Sequence, residues 1–167
     1  VYCTIRKIMQ EISSTYPPEA SPIKIKICGM GAPENILDVA SLNPDYLGFI
    51  FYPDSPRNFE TEIPELPGSI KKTGVFVDAS LEFILNKVEQ YNFQALQLHG
   101  KESAEFCKVL RNSLKQRDAA SEIEIIKVFS VKDEFNFSRL KGYEGQVDFF
   151  LFDTKGKNKG GNGYTFD

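Results

Sequence analysis

Apolar residues in this chain gather in short β-rich runs at 24–28, 46–51, 73–77, 94–98, 124–129 and 147–153. The step between runs is about 25 residues, roughly what one plain βαβ repeat requires. Between most runs the hydrophobic period lengthens to that of a helix. Pro33 opens one that carries Ile36, Leu37 and Ala40, since proline is accommodated in a first helical turn. Leu81, Ile84, Leu85 and Val88 follow i, i+3, i+4, i+7 spacing behind an N-cap at Ser80. Phe106, Cys107, Leu110 and Leu114 make a further stripe. The link after the second run holds Pro53, Pro56, Pro64 and Pro67, so any helix there is short. Residues 1–22 are an N-terminal extension. In it Ile5, Ile8, Met9 and Ile12 predict one amphipathic helix, ended by Pro17 and Pro18 and covering the bottom of the repeat.

Strict βα alternation over 23–167 makes this an α/β domain with a parallel sheet, either open and doubly wound or closed as a (β/α)8 barrel. No Gly-x-Gly-x-x-Gly follows any strand, which removes the dinucleotide fingerprint. Six units are visible, and eight at this step would need about 220 residues from Lys24. A barrel would therefore be incomplete, with the first and last strands flanking a gap. Such edges invite self-association, or packing of the N-terminal segment into the opening.

The side-chain alternation points to a site. Strands of a parallel sheet are normally apolar on both faces. Here Ile25 and Ile27 oppose Lys24, Lys26 and Cys28; Leu96 and Leu98 oppose Gln97 and His99; Ile126 and Val128 oppose Lys127. Asp153 closes the last run on the parity of Phe149 and Leu151. If the apolar faces meet the helices, Lys26, Cys28, Gln97, His99, Lys127 and Asp153 converge inside a barrel. Buried polar groups are costly unless they bond one another or a ligand. Several lie at C-terminal strand ends, where barrel enzymes place their sites. Each also has a plainer reading: Cys28 as a small buried hydrophobe, His99 bonded to backbone, Asp153 opening a turn. Cys107, on a helical stripe, reads as core, and Lys155, Lys157 and Lys159 as a solvated loop.

Composition narrows the function. Twenty basic against twenty-three acidic residues argue against a dedicated nucleic-acid binder. No apolar run reaches the roughly 18 residues of a membrane span, and no signal-peptide layout opens the sequence. Three scattered cysteines (Cys3, Cys28, Cys107) suit a reducing, cytoplasmic setting. One histidine and scattered cysteines give no metal-ligand spacing, and neither a nucleophile elbow nor a Walker loop is present.

At these residues the sequence resembles the phosphoribosylanthranilate isomerase family of tryptophan biosynthesis. The resemblance runs from about Ile25 to Asp167 through motifs in the family's order. They are Lys26-Ile27-Cys28-Gly29-Met30 with Pro33-Glu34-Asn35-Ile36, then Leu47-Gly48-Phe49-Ile50-Phe51-Tyr52 leading to Ser55-Pro56-Arg57. Gly74-Val75-Phe76-Val77-Asp78, Gln97-Leu98-His99-Gly100 with Glu102, and Phe150-Leu151-Phe152-Asp153 follow. Gly160-Gly161-Asn162-Gly163 with Phe166-Asp167 comes last. Gly31-Ala32 and Asn162 depart from the residues usual in the family. The resemblance implies a TIM (β/α)8-type barrel whose strands 7 and 8, with their phosphate-binding loops, are not in this sequence.

It also implies a cofactor-free Amadori rearrangement of a small phosphosugar, N-(5-phosphoribosyl)anthranilate, to 1-(o-carboxyphenylamino)-1-deoxyribulose 5-phosphate. Carried over by motif, Cys28 is the general base and Asp153 the general acid. Arg57 holds the anthranilate carboxylate, and Gln97 and His99 belong to the substrate-binding set. A thiolate base is favoured by nearby positive charge, which Lys26 or Lys127 would supply. Two other readings remain: a non-catalytic partial barrel acting as an interaction module, and another phosphosugar barrel enzyme such as an epimerase or indoleglycerol-phosphate synthase. Ser55-Pro56-Arg57 and the cysteine base argue against the latter.

Overall fold

The computed structural model describes residues 3–4, 6–7, 23–118, 122–131 and 134–154. Six parallel strands follow the six apolar runs: β3 (Ile25–Cys28), β4 (Tyr46–Phe51), β5 (Lys71–Phe76), β6 (Ala95–Leu98), β7 (Glu124–Val131) and β8 (Phe149–Thr154). Each pairs with the next in sequence, as in a singly wound (β/α) barrel. Helices α1 (Pro33–Ala40), α2 (Leu81–Tyr91) and α3 (Ala104–Arg117) fill three of the crossovers. Pro33 stands at the start of α1. The hydroxyls of Ser80 and Ser103 accept from Phe83 N and Phe106 N, capping α2 and α3; each such cap contributes about 1 kcal/mol. The proline-rich link between β4 and β5 forms no helix, and a 3-10 turn, Phe137–Tyr143, precedes β8.

The two sheet faces carry separate apolar clusters. On the helix side Leu47, Phe49, Phe76, Leu96, Leu98 and Ile125 pack under Ile36, Ile84, Cys107 and Leu110. On the other side Tyr46, Ala95, Ile126, Val128, Phe149 and Leu151 fill the concave interior. The register puts Lys26 beside Tyr46, Cys28 beside Gly48, and Gln97 beside Ile126, all on the interior face. This matches the alternation read from β3 and β6.

In β7 the expected parity is reversed. Ile126 and Val128 point inward, while Lys127 shares the helix-side face with Ile125 and Phe129. The apolar pair completes the interior cluster, and Lys127 finds a buried carboxylate, Glu102, on the other side. A distant counter-ion overrides an alternation rule that sees only one strand.

The N-terminal expectation also changes. The chain is extended as β1 (Cys3–Thr4) and β2 (Arg6–Lys7), so no helix runs through Arg6–Lys7. The rest of that expected helix lies outside the described residues. β1 pairs antiparallel with β3 at Ile25 and Lys26, and β2 with β8 at Phe149 and Phe150. One residue separates them, so a single segment joins the two edge strands. Backbone groups that an open edge would leave unpaired gain partners this way, a demand that outweighs local helical periodicity. Among the described residues, only the N-terminal halves of β3 and β8 are bridged.

Candidate functional site

Cys28 ends β3, on the interior face and partly exposed. The chain turns away through Gly29, whose φ of +92° suits glycine. Gly29 N and Met30 N both donate to Gly48 O, at 3.0 and 3.1 Å. Gly48 is the floor of this corner: a Cβ there would lie 2.6 Å from Cys28 Sγ and 2.7 Å from Lys26 Nζ. Thiol and ammonium thus crowd the space that one methyl group would fill. Lys26 is 3% exposed and makes no hydrogen bond or ion pair among the described residues. Arg57 folds against the turn, its Nη1 2.6 Å from where a Cβ on Gly29 would be. The turn at Ser55-Pro56-Arg57 sets its position: Asn58 N donates to Ser55 O, Arg57 N to Ser55 Oγ, and Phe59 N to Ile50 O.

Across the interior, the C-terminal ends of β6 and β8 bring three polar side chains together. His99 Nε2 is 3.3 Å from Asp153 Oδ2, and Gln97 Nε2 is 3.2 Å from His99 Nδ1. With the Gln97 amide donating to Nδ1, Nε2 carries the ring proton and donates to the carboxylate. Gln97 is 4% exposed, and its Oε1 is a buried acceptor with no partner in the described structure. Such an atom is expensive unless a ligand donor or water meets it. The opposite end of the interior is polar but self-satisfied. Glu124 accepts from Tyr46 Oη at 2.9 Å and from Lys71 Nζ at 2.6 Å. Burial, reinforced by that carboxylate, holds the Tyr46 hydroxyl well above the usual phenol range.

The sequence-expected residues therefore fall into two arms, Cys28 with Lys26 and Arg57, and Asp153 with His99 and Gln97. Lys127 belongs to neither and cannot be the cation beside the thiol, because it lies beyond the sheet wall. Cys107 is fully buried under α3, and burial pushes its thiol up to about 11, as suits core. Gly48 is the member that sequence reasoning passed over. A glycine inside a buried strand signals close approach by another group, and that signal was available. Among the described residues no three His, Cys, Asp or Glu side chains gather as a metal site, and no helix is long and apolar enough to cross a membrane. The 160–163 glycine motif and the lysines at 155, 157 and 159 lie outside the described residues.

Comparison with known proteins gives a consistent result. The family N-(5'phosphoribosyl)anthranilate (PRA) isomerase matches residues 25–167. N-(5'-phosphoribosyl)anthranilate isomerase of Phocaeicola vulgatus is 40% identical over 143 residues, which cover 86% of this chain and 66% of that protein. The crystal structure of phosphoribosyl anthranilate isomerase from Thermotoga maritima superposes with a TM-score of 0.64 at 34% identity, covering 85% of this chain and 66% of that one. A phosphoribosyl anthranilate isomerase in complex with reduced 1-(o-carboxyphenylamino)-1-deoxyribulose 5-phosphate has a TM-score of 0.51 at 27% identity, covering 77% and 74%. The chain spans just under two thirds of the length of the Phocaeicola relative.

Proposed function

This chain belongs to the N-(5'-phosphoribosyl)anthranilate isomerase family, and from that premise we propose that it is an aldose–ketose isomerase acting on N-(5-phosphoribosyl)anthranilate. The observation that carries the reading is the pair of arms. A thiol and a carboxylate stand at the C-terminal ends of two interior-facing strands, with the Lys26 ammonium beside the thiol. The complex of a relative with a reduced product supports the same substrate class.

The chemistry requires one acid and one base. Asp153 gives a proton to the ribose ring oxygen; the C1–O bond breaks, and the anthranilate nitrogen lone pair forms the C1=N bond of a Schiff base. Cys28 takes the C2 proton, and the C–H electron pair becomes the C1=C2 bond of an enolamine. Loss of the C2 hydroxyl proton and return of a proton to C1 leave the 2-ketone. No redox partner is consumed. Each positioned proton transfer is typically worth about 10²–10⁴-fold. Arg57 receives the anthranilate carboxylate through a fork of two N–H groups, and Gln97 Oε1 and the His99 ring contact substrate hydroxyls. The unpaired thiols of Cys28 and Cys107 support a cytoplasmic setting.

The test is direct. The chain is incubated with N-(5-phosphoribosyl)anthranilate, and the aminoketose is followed by chromatography. Turnover above background that Cys28→Ala and Asp153→Asn both lose is the expected result. Parent and variants indistinguishable from background would overturn the reading. That outcome would favour a non-catalytic partial barrel whose upper edges on β3 and β8, unbridged among the described residues, receive another chain.

A further inference from the structure

We infer that Glu102 and Lys127 form a buried clamp that holds the His99 ring against Asp153, making both positioning residues for the acid arm. The inference rests on the proposed reading only in giving Asp153 its role; the clamp itself is argued from geometry.

Both side chains are nearly inaccessible, at 2% and 3% exposure, and their charges meet at 3.0 Å. What they bind besides each other is specific. Lys127 Nζ donates to Leu98 O at 3.2 Å and Gly100 O at 2.9 Å, the carbonyls on either side of His99. Glu102 Oε2 accepts from Gly100 N at 3.0 Å, and Oε1 from Asp78 N at 2.9 Å. Tyr143 Oη donates to Glu102 O, and His99 N to Phe76 O, fixing the same loop from the 3-10 turn before β8 and from β5. Asp78 takes φ +50° to enter this network, and Lys101 N donates to its Oδ1. A side chain on Gly100 would strike Asp78. The peptide groups on both sides of His99 are therefore tied to one ion pair, on the far side of the sheet from the ring they aim.

Stability alone does not account for such a pair, because two well-packed apolar residues commonly serve as well. An apolar pair has no means of fixing two carbonyls and an N–H around one residue. Functional rings must be held by the groups behind them if they are to meet a partner reproducibly.

The chain has one histidine, so its ring gives a single set of NMR signals in the intact protein. At fixed pH, Asp153→Asn should shift the His99 ring resonances. Next, Lys127→Met with Glu102→Gln removes both charges together while keeping shape, and cooperative melting checks its fold. In that background Asp153→Asn should produce less than half the shift it produces in the parent. An undiminished shift in the folded double variant would overturn the clamp, as would no shift in the parent. Should the double variant not fold, Glu102→Asp, which keeps the charge but withdraws the carboxylate, is read with the same expectation and the same overturning result. None of these readouts needs turnover, so a failed isomerase assay leaves the inference standing.

Discussion

The two arms of the site are built on opposite principles. At the β6–β8 arm nearly every polar group is already bonded: Gln97 to His99, His99 to Asp153, and Lys127 with Glu102 behind them. Among the described residues, Gln97 Oε1 is the buried side-chain polar atom left without a partner. At the β3–β4 arm the cations are bare. Lys26 is buried without a partner among the described residues, and Arg57 leans on a glycine while its guanidinium bonds nothing described. An ammonium with no ion-pair partner among the described residues would gain from an anion placed beside it. The difference teaches a division of labour. On the proposed roles, the acid is pre-aimed before any ligand arrives, whereas the base side would be completed by the ligand's own negative charge.

Removing the reacting group of either arm should have the largest effect. Cys28→Ala and Asp153→Asn should each lower kcat by about 10²–10⁴-fold or more, with circular dichroism and melting close to parent. The comparison breaks if one of them retains normal turnover, since that arm would then supply no proton transfer. Gly48→Ala probes the base side alone. Its methyl would sit 2.6 Å from Cys28 Sγ and 2.7 Å from Lys26 Nζ, so one of them must move, and displacement on the order of 1 Å can cost about 10²-fold in rate. The His99 resonances should not respond. Gly31→Ala, where an added Cβ meets nothing within 4 Å, is the neutral control. A silent Gly48→Ala would mean that the thiol's place is not fixed by that glycine.

Arg57→Lys should act more gently, and on binding. The charge remains but the fork is lost, so KM should rise about tenfold, on the scale of one charge-assisted hydrogen bond, while kcat changes little. Unchanged KM and kcat would remove Arg57 from the ligand-completed side.

Legibility in the sequence follows the same physical line. β-rich runs, capping serines and the proline at the start of α1 are local signals, and each describes a structure that local chemistry decides. The polar faces of β3 and β6 were legible because Lys26, Cys28 and Gln97 alternate with aliphatic residues in strands too short to hide a second pattern. Lys127 was not, because its partner Glu102 stands 25 residues away and nothing in β7 announces it. The strands of the extension were missed for a related reason. Ile5, Ile8, Met9 and Ile12 suit a helix, but the unpaired edges of β3 and β8, which draw Cys3–Thr4 and Arg6–Lys7 into strands, are absent from any local window. Motif spacing collected Arg57, His99 and Asp153, yet only the folded chain separates them into two arms.

The smallest effect sharpens the comparison most, because it measures the bare cation without turnover. Iodoacetate and iodoacetamide alkylate a thiol by the same displacement and differ by one negative charge. If Lys26 gives Cys28 positive surroundings, the ratio of the two rates at Cys28 should exceed the ratio for a small free thiol. Lys26→Gln should lower it by about three- to tenfold, the scale of a single partly screened charge pair. Cys107 provides the internal standard. Burial raises its thiol to about 11, so at pH 8 it is neutral as well as inaccessible, and peptide mapping should find it unmodified. Labelling of Cys107 at the Cys28 rate would signal an opened fold. A ratio at Cys28 that does not respond to Lys26→Gln, with Cys107 still protected, would show that the ammonium is not felt at the sulfur. The contrast between a satisfied arm and an arm completed by its ligand would then lose its electrostatic basis.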